Sequence, residues 1–483
     1  MSATIQTPDW VKDAVFYQIF PDRFASSARV EKPSNLEPWT APPTVYGFKG
    51  GDLLGVVEHL DYLVDLGIKA IYFNPIFQSA SNHRYHTHDY YRVDPILGGN
   101  EALRELLDAA HARQIRVVLD GVFNHASRGF FQFNHLLECG AQSPYLDWFT
   151  VKRFPLNAYE PNAKPNYGAW WNLPALPEFN TANPQVREFI FNVATYWIAF
   201  GIDGWRLDVP YEIDDDEFWR EFRRRVRNAN PDAYIVGEIW HESERWLRGD
   251  QFDAVMNYIQ TRAAIAFFGA ETLSSLKPGG GYDVLQPLAA GDFAAEIERM
   301  LALYDWEITT AQMNLLDSHD TPRFVTMVNG DTSALKLAML FQLTMPGAPT
   351  IYYGDEVGLA GGHDPECRGG MPWDQAQWDM DLHAYVRAAV QVRHAYPALR
   401  RGSYHTRLAA ETSYAFERIV GGDRIMVAFN TAQTPATLRI PLEQSARDAR
   451  LVLGDGGSVS ANLEGDTLVI QAAPRSGVVV TLG

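Results

Sequence analysis

The sequence predicts an α/β chain built on a closed (β/α)8 barrel, with a segment inserted after the third strand and an antiparallel β domain at the C-terminal end. Three observations predict it. Short β-branched or aromatic runs alternate with longer helical patterns over the first 390 or so residues. That rhythm breaks once, between Asp120 and Gly204. After about residue 400 it gives way to short alternating strands separated by turns.

The strand-like runs are AVFYQIF (14–20), AIYFN (70–74), IRVVLD (115–120), GWRLD (204–208), YIVGE (234–238), FDAVMN (252–257), QMNLLDS (312–318) and PTIYYG (349–354). Helical patterns fall between most of them. LLGVVEHLDYLVDLG (53–67) and NEALRELLDAAHARQ (100–114) are the clearest, with apolar residues three and four apart. In the long interval, NPQVREFIFNVATYWIAFG (183–201) reads as a helix, and the part before it, rich in Phe, Asn, Pro and Trp, as an irregular excursion. The tail runs SYAFERI, DRIMVAFN, ATLRIPL, ARLVLG, DTLVIQA and GVVVTLG. The expected division is a barrel over 1–120 and 183–397, an insertion over 121–182 and a β-sandwich over 398–483. An open doubly wound sheet is the alternative, but it would place fewer polar groups at so many strand ends.

The 483 residues are too many for one ordinary core, and 46% are apolar, so the chain folds. A formal net charge of −18 argues against wrapping a nucleic-acid backbone. Cys139 and Cys367 match no metal or redox spacing and read as two free thiols. MSATIQTPDW carries no leader pattern and no long apolar run exists, so a cytoplasmic protein without a membrane span is expected. No dinucleotide or P-loop fingerprint stands in the right context. Trp, Tyr and Phe make up 13%, and several sit in Gly/Pro/Asn-rich segments: Tyr85, Tyr167, Trp170, Trp171 and Trp373. Rings in loops make platforms for the apolar faces of sugars; anchoring of the loop itself accounts for about half of them.

Strand C-terminal ends of a barrel converge on one face, and this sequence puts charge there repeatedly. Asp120 ends the third strand, Arg206 and Asp208 the fourth, and Glu238 the fifth, while His319 and Asp320 follow the seventh. One aspartate at a strand end is most often a helix cap; several at different ends are not. Glycosidic cleavage needs one carboxylic acid and one carboxylate at the same pH. Arg206 lies two residues before Asp208, on the same strand face, and favours its ionised form. Glu238 has Val236 at the matching position, and apolar flanks raise its pKa. A plain structural ion pair is the competing reading of Arg206 and Asp208. A metal site at His86 and His88, or at His319 and Asp320, is another, but no tight zinc spacing appears.

At these residues the sequence resembles the α-amylase family of glycoside hydrolases (family 13). DGVFNH, GWRLDVPYE, VGEIWH and LLDSHD look like its four catalytic-region motifs in order, and GAPTIYYGDE and DPECRGGMPWD add two more. Within the family, Glu212, GEIWH, SHDTPR, DPECR and SNHRYHTHDYY are similar to the cyclomaltodextrinase, neopullulanase and maltogenic-amylase group. The resemblance implies a retaining α-glucan hydrolase acting on α-1,4 bonds of maltooligosaccharides, cyclodextrins or related glucans. It implies Asp208 as nucleophile, Glu238 as acid/base and Asp320 as the carboxylate on the −1 sugar. Arg206 would support Asp208, His125 and His319 would bind the −1 sugar and Tyr85 would stack on it. Asp364 and Arg368 would grip the −1 or −2 glucose, Asp120 would stand behind the nucleophile, and Tyr211, Glu212 and Trp240 would lie on the acceptor side.

The implied chemistry is double displacement with the carboxyls about 5–5.5 Å apart, and it requires no cofactor. The family's general type allows a structural calcium at Asn124. The implied partner is an oligosaccharide or glucan, not a nucleic acid or membrane; monomer and homodimer both stay open. Three departures stand out. The first strand begins near residue 14, so the group's N-terminal β domain is not expected; Tyr211 replaces the usual Asn; and LPEFN (176–180) carries Glu178 where Lys is commoner. A transglycosylase or exo-acting α-glucosidase shares the same scaffold and is the runner-up. A non-catalytic carbohydrate-binding homologue is the remote alternative.

Overall fold

The computed structural model describes residues 5–160, 163–279, 284–454 and 459–483. Residues 1–4 and 280–283 of the expected barrel, 161–162 of the expected insertion and 455–458 of the expected C-terminal domain lie outside the described residues. Each of the eight expected runs contains a strand: β1 Phe16–Ile19, β2 Ala70–Phe73, β3 Arg116–Gly121, β4 Gly204–Leu207, β5 Tyr234–Gly237, β6 Ala254–Val255, β7 Met313–Asn314 and β8 Ala348–Tyr352. All pair in parallel, in the order β6-β5-β4-β3-β2-β1-β8-β7. A parallel bridge between Met256 and Met313 joins the two ends, so the sheet closes and the open alternative falls away.

The period of two sorts every strand. Phe16, Ala70, Tyr72, Val118, Tyr234, Val236, Ala254 and Met313 form one buried apolar cluster along the axis. The residues between them, such as Tyr17, Ile71, Val117, Trp205 and Ile235, pack outward in the larger cluster that contains the helices. Gly204 leaves room for its cross-strand partner Tyr234, whose carbonyl would lie only 2.4 Å from a Cβ there. Two residues further along the inner faces come Gln18, Asn74, Asp120, Arg206 and Glu238, all buried. The barrel is therefore apolar below and polar at its C-terminal mouth.

Helices Gly99–Ala112 and Pro184–Phe200 form where their periodicity places them. The Asn183 side chain caps the second by accepting from the Gln185 N–H. The expected single helix over 53–67 is two, Leu53–Glu58 and Leu60–Leu66. His59 breaks it: its backbone leaves the helical region, its Nδ1 lies 2.7 Å from the Gly55 carbonyl oxygen, and its ring packs on Trp373. Between β5 and β6 only a short 3-10 turn, Glu244–Trp246, is present.

Between β3 and the helix at Pro184 the chain forms helix Phe131–Cys139 and a set of antiparallel bridges, His125 to Glu178, Phe149 to Phe179, Val151 to Tyr167 and Ala169 to Pro177. At the C-terminal end lie β9 Ser403–Ala410, β10 Ser413–Val420, β11 Asp423–Asn430, β12 Ala436–Pro441, β13 Ala449–Gly454, β14 Ser460–Glu464, β15 Thr467–Ala472 and β16 Ser476–Leu482. They make a five-stranded sheet, β9-β10-β11-β16-β13, and a three-stranded one, β12-β15-β14, around their own apolar cluster. Arg418, fully buried, ties this unit to the barrel by donating to the carbonyl of Thr344 on the barrel helix Thr332–Thr344, and within its own unit it donates to the carbonyls of Leu399 (2.9 Å) and Gly402 (3.0 Å). Cys139 and Cys367 are free. Among the described residues no helix is long and apolar enough to cross a membrane.

Candidate active site

The polar mouth of the barrel holds one continuous network, and Arg206 is its centre. Cross-strand register sets Arg206 beside Asp120, and the pleat sets Asp208 above it. Arg206 Nη1 donates to both Asp120 oxygens at 3.0 Å and to Asp208 Oδ1 at 3.1 Å. Its Nη2 lies 3.0 Å from Glu238 Oε2, an ion pair whose N–H does not point at the oxygen. One guanidinium thus touches three carboxylates from three strands.

Glu238 is held from both sides. Trp240 Nε1 donates to Oε1 at 3.0 Å and the Val209 N–H to Oε2 at 3.1 Å. The Val209 backbone has φ 35° and ψ 51°, a left-handed conformation that β-branched residues avoid. Such a residue stores about 1–3 kcal/mol and persists only where its surroundings impose it. Here the twist aims the N–H that follows Asp208 at Glu238.

On the other side of Asp120, Tyr72 and Tyr85 both donate to Oδ2, at 2.7 and 2.8 Å. His319 Nδ1 lies 3.0 Å from the amide nitrogens of Gln18 and Asn74, so its proton sits on Nε2. That nitrogen is 2.7 Å from the Tyr85 hydroxyl and 3.1 Å from Asp320 Oδ2. Arg368 reaches Asp320 Oδ1 at 3.3 Å and Asp364 Oδ1 at 2.9 Å. The chain of contacts from Asp364 through Arg368, Asp320, His319, Tyr85, Asp120 and Arg206 to Asp208 and Glu238 is unbroken.

The remaining expected residues surround it. His125 is buried and stacks on Trp170, 5.2 Å between ring centres, and its Nε2 has no partner. Tyr211 is half-buried beside His241, and Glu212 is exposed on the same 3-10 turn. Trp240, expected on the acceptor side, stacks on Tyr258 and bonds Glu238 itself. Asn124 turns its amide toward His125 Nδ1, 3.4 Å away. No group of three or more His, Cys, Asp or Glu able to hold a metal ion occurs among the described residues.

Burial dominates the electrostatics. It pushes the Asp208 carboxyl well above the ordinary range, the charge of Glu238 adds to this, and Arg206 opposes it without reversing it. Glu238 is raised too, by burial first, against Arg206, Trp240 and the Val209 N–H. As expected, Arg206 favours ionised Asp208 and burial raises Glu238, but burial outweighs Arg206 at Asp208, and the guanidinium also reaches Glu238 from the neighbouring strand. Arg206 serves both. Burial also raises Asp320, and it pushes Asp120 up to about 6. His319 and His125 are held neutral by burial, the latter at about 3. Asp120, Asp208, Glu238 and Asp320 share two guanidiniums, one of which also serves Asp364, so the site favours holding a proton.

Sequence reasoning missed Tyr72, Gln18, Asn74 and the Val209 backbone. The first three read as strand filler, and the i, i+2 pleat from Phe16, Ala70 and Tyr72 is the signal that finds them. Nothing in the letters announces the Val209 conformation.

The alpha amylase, catalytic domain model matches residues 18–395. The chain is 45% identical to a cyclomaltodextrinase of Geobacillus thermopakistaniensis, over 97% of its own length and 77% of that protein. The solved debranching enzyme of Nostoc punctiforme is 49% identical with a TM-score of 0.91, covering 99% of this chain and 100% of that one. The cyclic α-maltosyl-(1→6)-maltose hydrolase of Arthrobacter globiformis, solved with that cyclic sugar, is 37% identical with a TM-score of 0.86, at 99% and 100% coverage. With its barrel, its charged mouth and these matches together, the chain belongs to the α-amylase family and is a glycoside hydrolase of that type.

Proposed function

We propose that the chain is a retaining α-glucan hydrolase in which Asp208 is the nucleophile, Glu238 the acid/base and Asp320 the carboxylate on the −1 sugar hydroxyls. The observation that carries this is the shared guanidinium: Arg206 touches Asp208 and Glu238 at 3.1 and 3.0 Å, binding the two carboxyls of a double displacement into one unit. Glu238 gives its proton to the glycosidic oxygen as Asp208 attacks C1. The covalent glucosyl ester is then hydrolysed by water that returns a proton to Glu238, and the anomeric configuration is retained. The surplus of carboxylates supplies the proton the acid needs. Asp320, His319 and Arg368 bind the distorted ring more tightly than the relaxed one, which turns binding into rate. Tyr85 stacks on that ring, His125 bonds it through Nε2, and Asp364 grips it with Arg368. The chemistry runs on protein groups alone.

The same reading divides the chain into a catalytic barrel (1–120 and 183–397), an insertion (121–182) and a C-terminal β domain (398–483). Two free thiols fit a reducing compartment and support a cytoplasmic location.

The preferred substrates are α-1,4-linked maltooligosaccharides and cyclodextrins. A second reading, cleavage of α-1,6 bonds in branched or cyclic maltosyl compounds, is favoured by the full-length similarity to the Nostoc and Arthrobacter proteins. Product analysis on maltotriose, cyclodextrin, pullulan and starch decides between them. Hydrolysis with the α-anomer released first, followed by NMR, is the expected result. Initial release of the β-anomer would refute the double displacement, and products longer than the substrate would mark a transglycosylase.

Trp240→Phe keeps the ring on Tyr258 but removes the N–H that stabilises ionised Glu238. The pKa of the acid then rises, so the alkaline limb of the kcat/KM profile moves to higher pH. A limb that stays in place or moves down would separate Glu238 from the acid role.

A further inference from the structure

At the end of the barrel away from the carboxylates lies a cavity whose charge is opposite to that of the chain. It measures about 580 Å³ and is lined by Trp10, Lys69, Arg116, His394 and Arg400, with Asp13 on its wall. The chain carries a formal net charge of −18, yet here three cations face one lining carboxylate. Strand order builds the site. Phe16, Ala70 and Arg116 pair side by side at the N-terminal ends of β1, β2 and β3. Asp13 lies just before β1, Lys69 just before β2, and Arg116 opens β3. Arg116 is two residues before Val118, on the inner face, and its guanidinium stands 5.7 Å from the Trp10 ring centre. Trp10 packs under the axial apolar cluster and donates from Nε1 to the Asp232 carbonyl at 2.9 Å. The floor of the cavity is therefore a fixed indole. His394 and Arg400 come from helices Met380–Ala395 and Pro397–Arg401.

The carboxylates nearby are already committed. Asp203 accepts from His111 Nε2 and Arg116 Nη1, each at 2.7 Å, and from the Val117 N–H at 2.8 Å. Asp13 is shared by Arg400 and Arg401. Donors are left over. Arg400 Nε is buried without a partner, and Lys69 forms no side-chain hydrogen bond or ion pair among the described residues. Behind the wall, fully buried Arg393 bonds carbonyl oxygens and no carboxylate. Burial lowers the pKa of His394, and the charges of Arg393, Lys69 and Arg400 lower it further against its bond to the Gly67 carbonyl. Unpaired donors in a positive field suit an anion. A halide would fill little of this volume. A phosphate group has oxygens enough for three separate cations, and the Trp10 ring and the remaining space fit an attached sugar.

We propose that this cavity at the N-terminal end of the barrel binds a phosphate group, either free or carried by a small sugar, on Lys69, Arg116 and Arg400. The bound anion ties together the starts of β1, β2 and β3 and stabilises the folded chain. The site is separate from the glycosidic chemistry at the mouth and stands whether or not that reading holds.

Calorimetry on the full chain, at fixed ionic strength in sodium chloride, uses inorganic phosphate and glucose 6-phosphate as probes. Saturable binding that depends on Lys69 is expected. Tighter binding of glucose 6-phosphate assigns the site to a phosphorylated sugar, and equal affinity assigns it to free phosphate. Lys69→Gln is expected to weaken binding about tenfold, the loss of one charge-assisted contact. It should leave the melting temperature without phosphate unchanged, because Lys69 holds no partner to lose. Lys69→Arg keeps the binding. Arg92→Gln, which removes an exposed cation from the strand Thr87–Val93, changes nothing. A second measurement needs no substitution: either probe should protect Lys69 of the unaltered chain from an amine-modifying reagent, read by mass spectrometry. No binding of either probe, equal binding in Lys69→Gln, the same loss in Arg92→Gln, or an unprotected Lys69 would overturn the site.

Discussion

Asp208→Asn is expected to lower kcat/KM on an α-glucan by about 10⁴-fold or more while raising the melting temperature at pH 7. The two effects have one cause. Asp208 is buried against Arg206 with Glu238, Asp120 and Asp320 in reach of its charge, and its carboxyl is held well above the ordinary range. A carboxyl whose folded pKa is raised binds its proton more tightly in the native state than in the unfolded one. Its ionisation therefore costs stability above the unfolded pKa of about 3.9, and the cost is complete above the folded value. Asn carries no charge at any pH, keeps the size, and still offers an oxygen to Arg206 Nη1. The variant should gain in thermal stability at neutral pH and lose that gain as the pH falls through the raised folded value toward about 4. An amide oxygen cannot form the glucosyl ester, so turnover collapses. Asp208→Ala with added azide provides the complementary measurement. The small anion attacks C1 from the vacated side, and the product carries the inverted anomer. An Asp208→Asn variant with near-normal turnover would remove the nucleophile assignment. One that is inactive and also less stable at pH 7 would show that Asp208 serves the fold.

The strands were legible because each carries its own short β-branched or aromatic run, and the pleat then dictates which residues reach the mouth. Asp120, Arg206, Asp208 and Glu238 were found that way. The failure was one of reach. Comparing Glu238 only with Val236 on its own strand left out the neighbouring strand, where Arg206 pairs in register with Val236. A long guanidinium spans that diagonal to Glu238, and no rule confined to one strand sees it. Asp317 makes the opposite point. It stands in the same LLDSHD run as Asp320, yet its Oδ2 accepts from the Phe324 N–H and it faces the buried Asp355 and Arg323. The two aspartates stand three places apart, and the turn after β7 sends them to different surroundings. The aromatics of the loops divide likewise. Tyr167 and Trp373 anchor loops through the Pro174 and Phe24 carbonyls, whereas Trp171 is stacked and open. Composition could state that about half would anchor, and only stacking geometry says which.

Arg206→Ala is the second substitution with a large expected effect, and its signature is the reverse of the first. The guanidinium is fully buried and is the cation shared by Asp120, Asp208 and Glu238. Its loss leaves three buried carboxylates without that cation, and breaking a buried pair of this kind costs about 3–5 kcal/mol. Turnover should fall by about 10³-fold or more, because the nucleophile and the acid lose the group that fixes their spacing. Without Arg206 the folded pKa values of all three carboxyls rise further. The native state then binds more protons than the unfolded state between the unfolded values of about 3.9–4.3 and the new folded ones, so stability falls as pH rises through that window. The deficit in melting temperature should be large at pH 8 and shrink toward pH 4.5, where the carboxyls take up protons. Arg206→Lys restores a charge but not the fork, since an ammonium is a compact point and cannot face three carboxylates in the guanidinium plane. It should recover part of the stability and little of the activity. Melting temperatures of both variants across that pH range, read beside kcat/KM, separate charge from geometry. A deficit independent of pH would mean that Arg206 acts through packing, and full activity in Arg206→Lys would mean that charge alone orders the site.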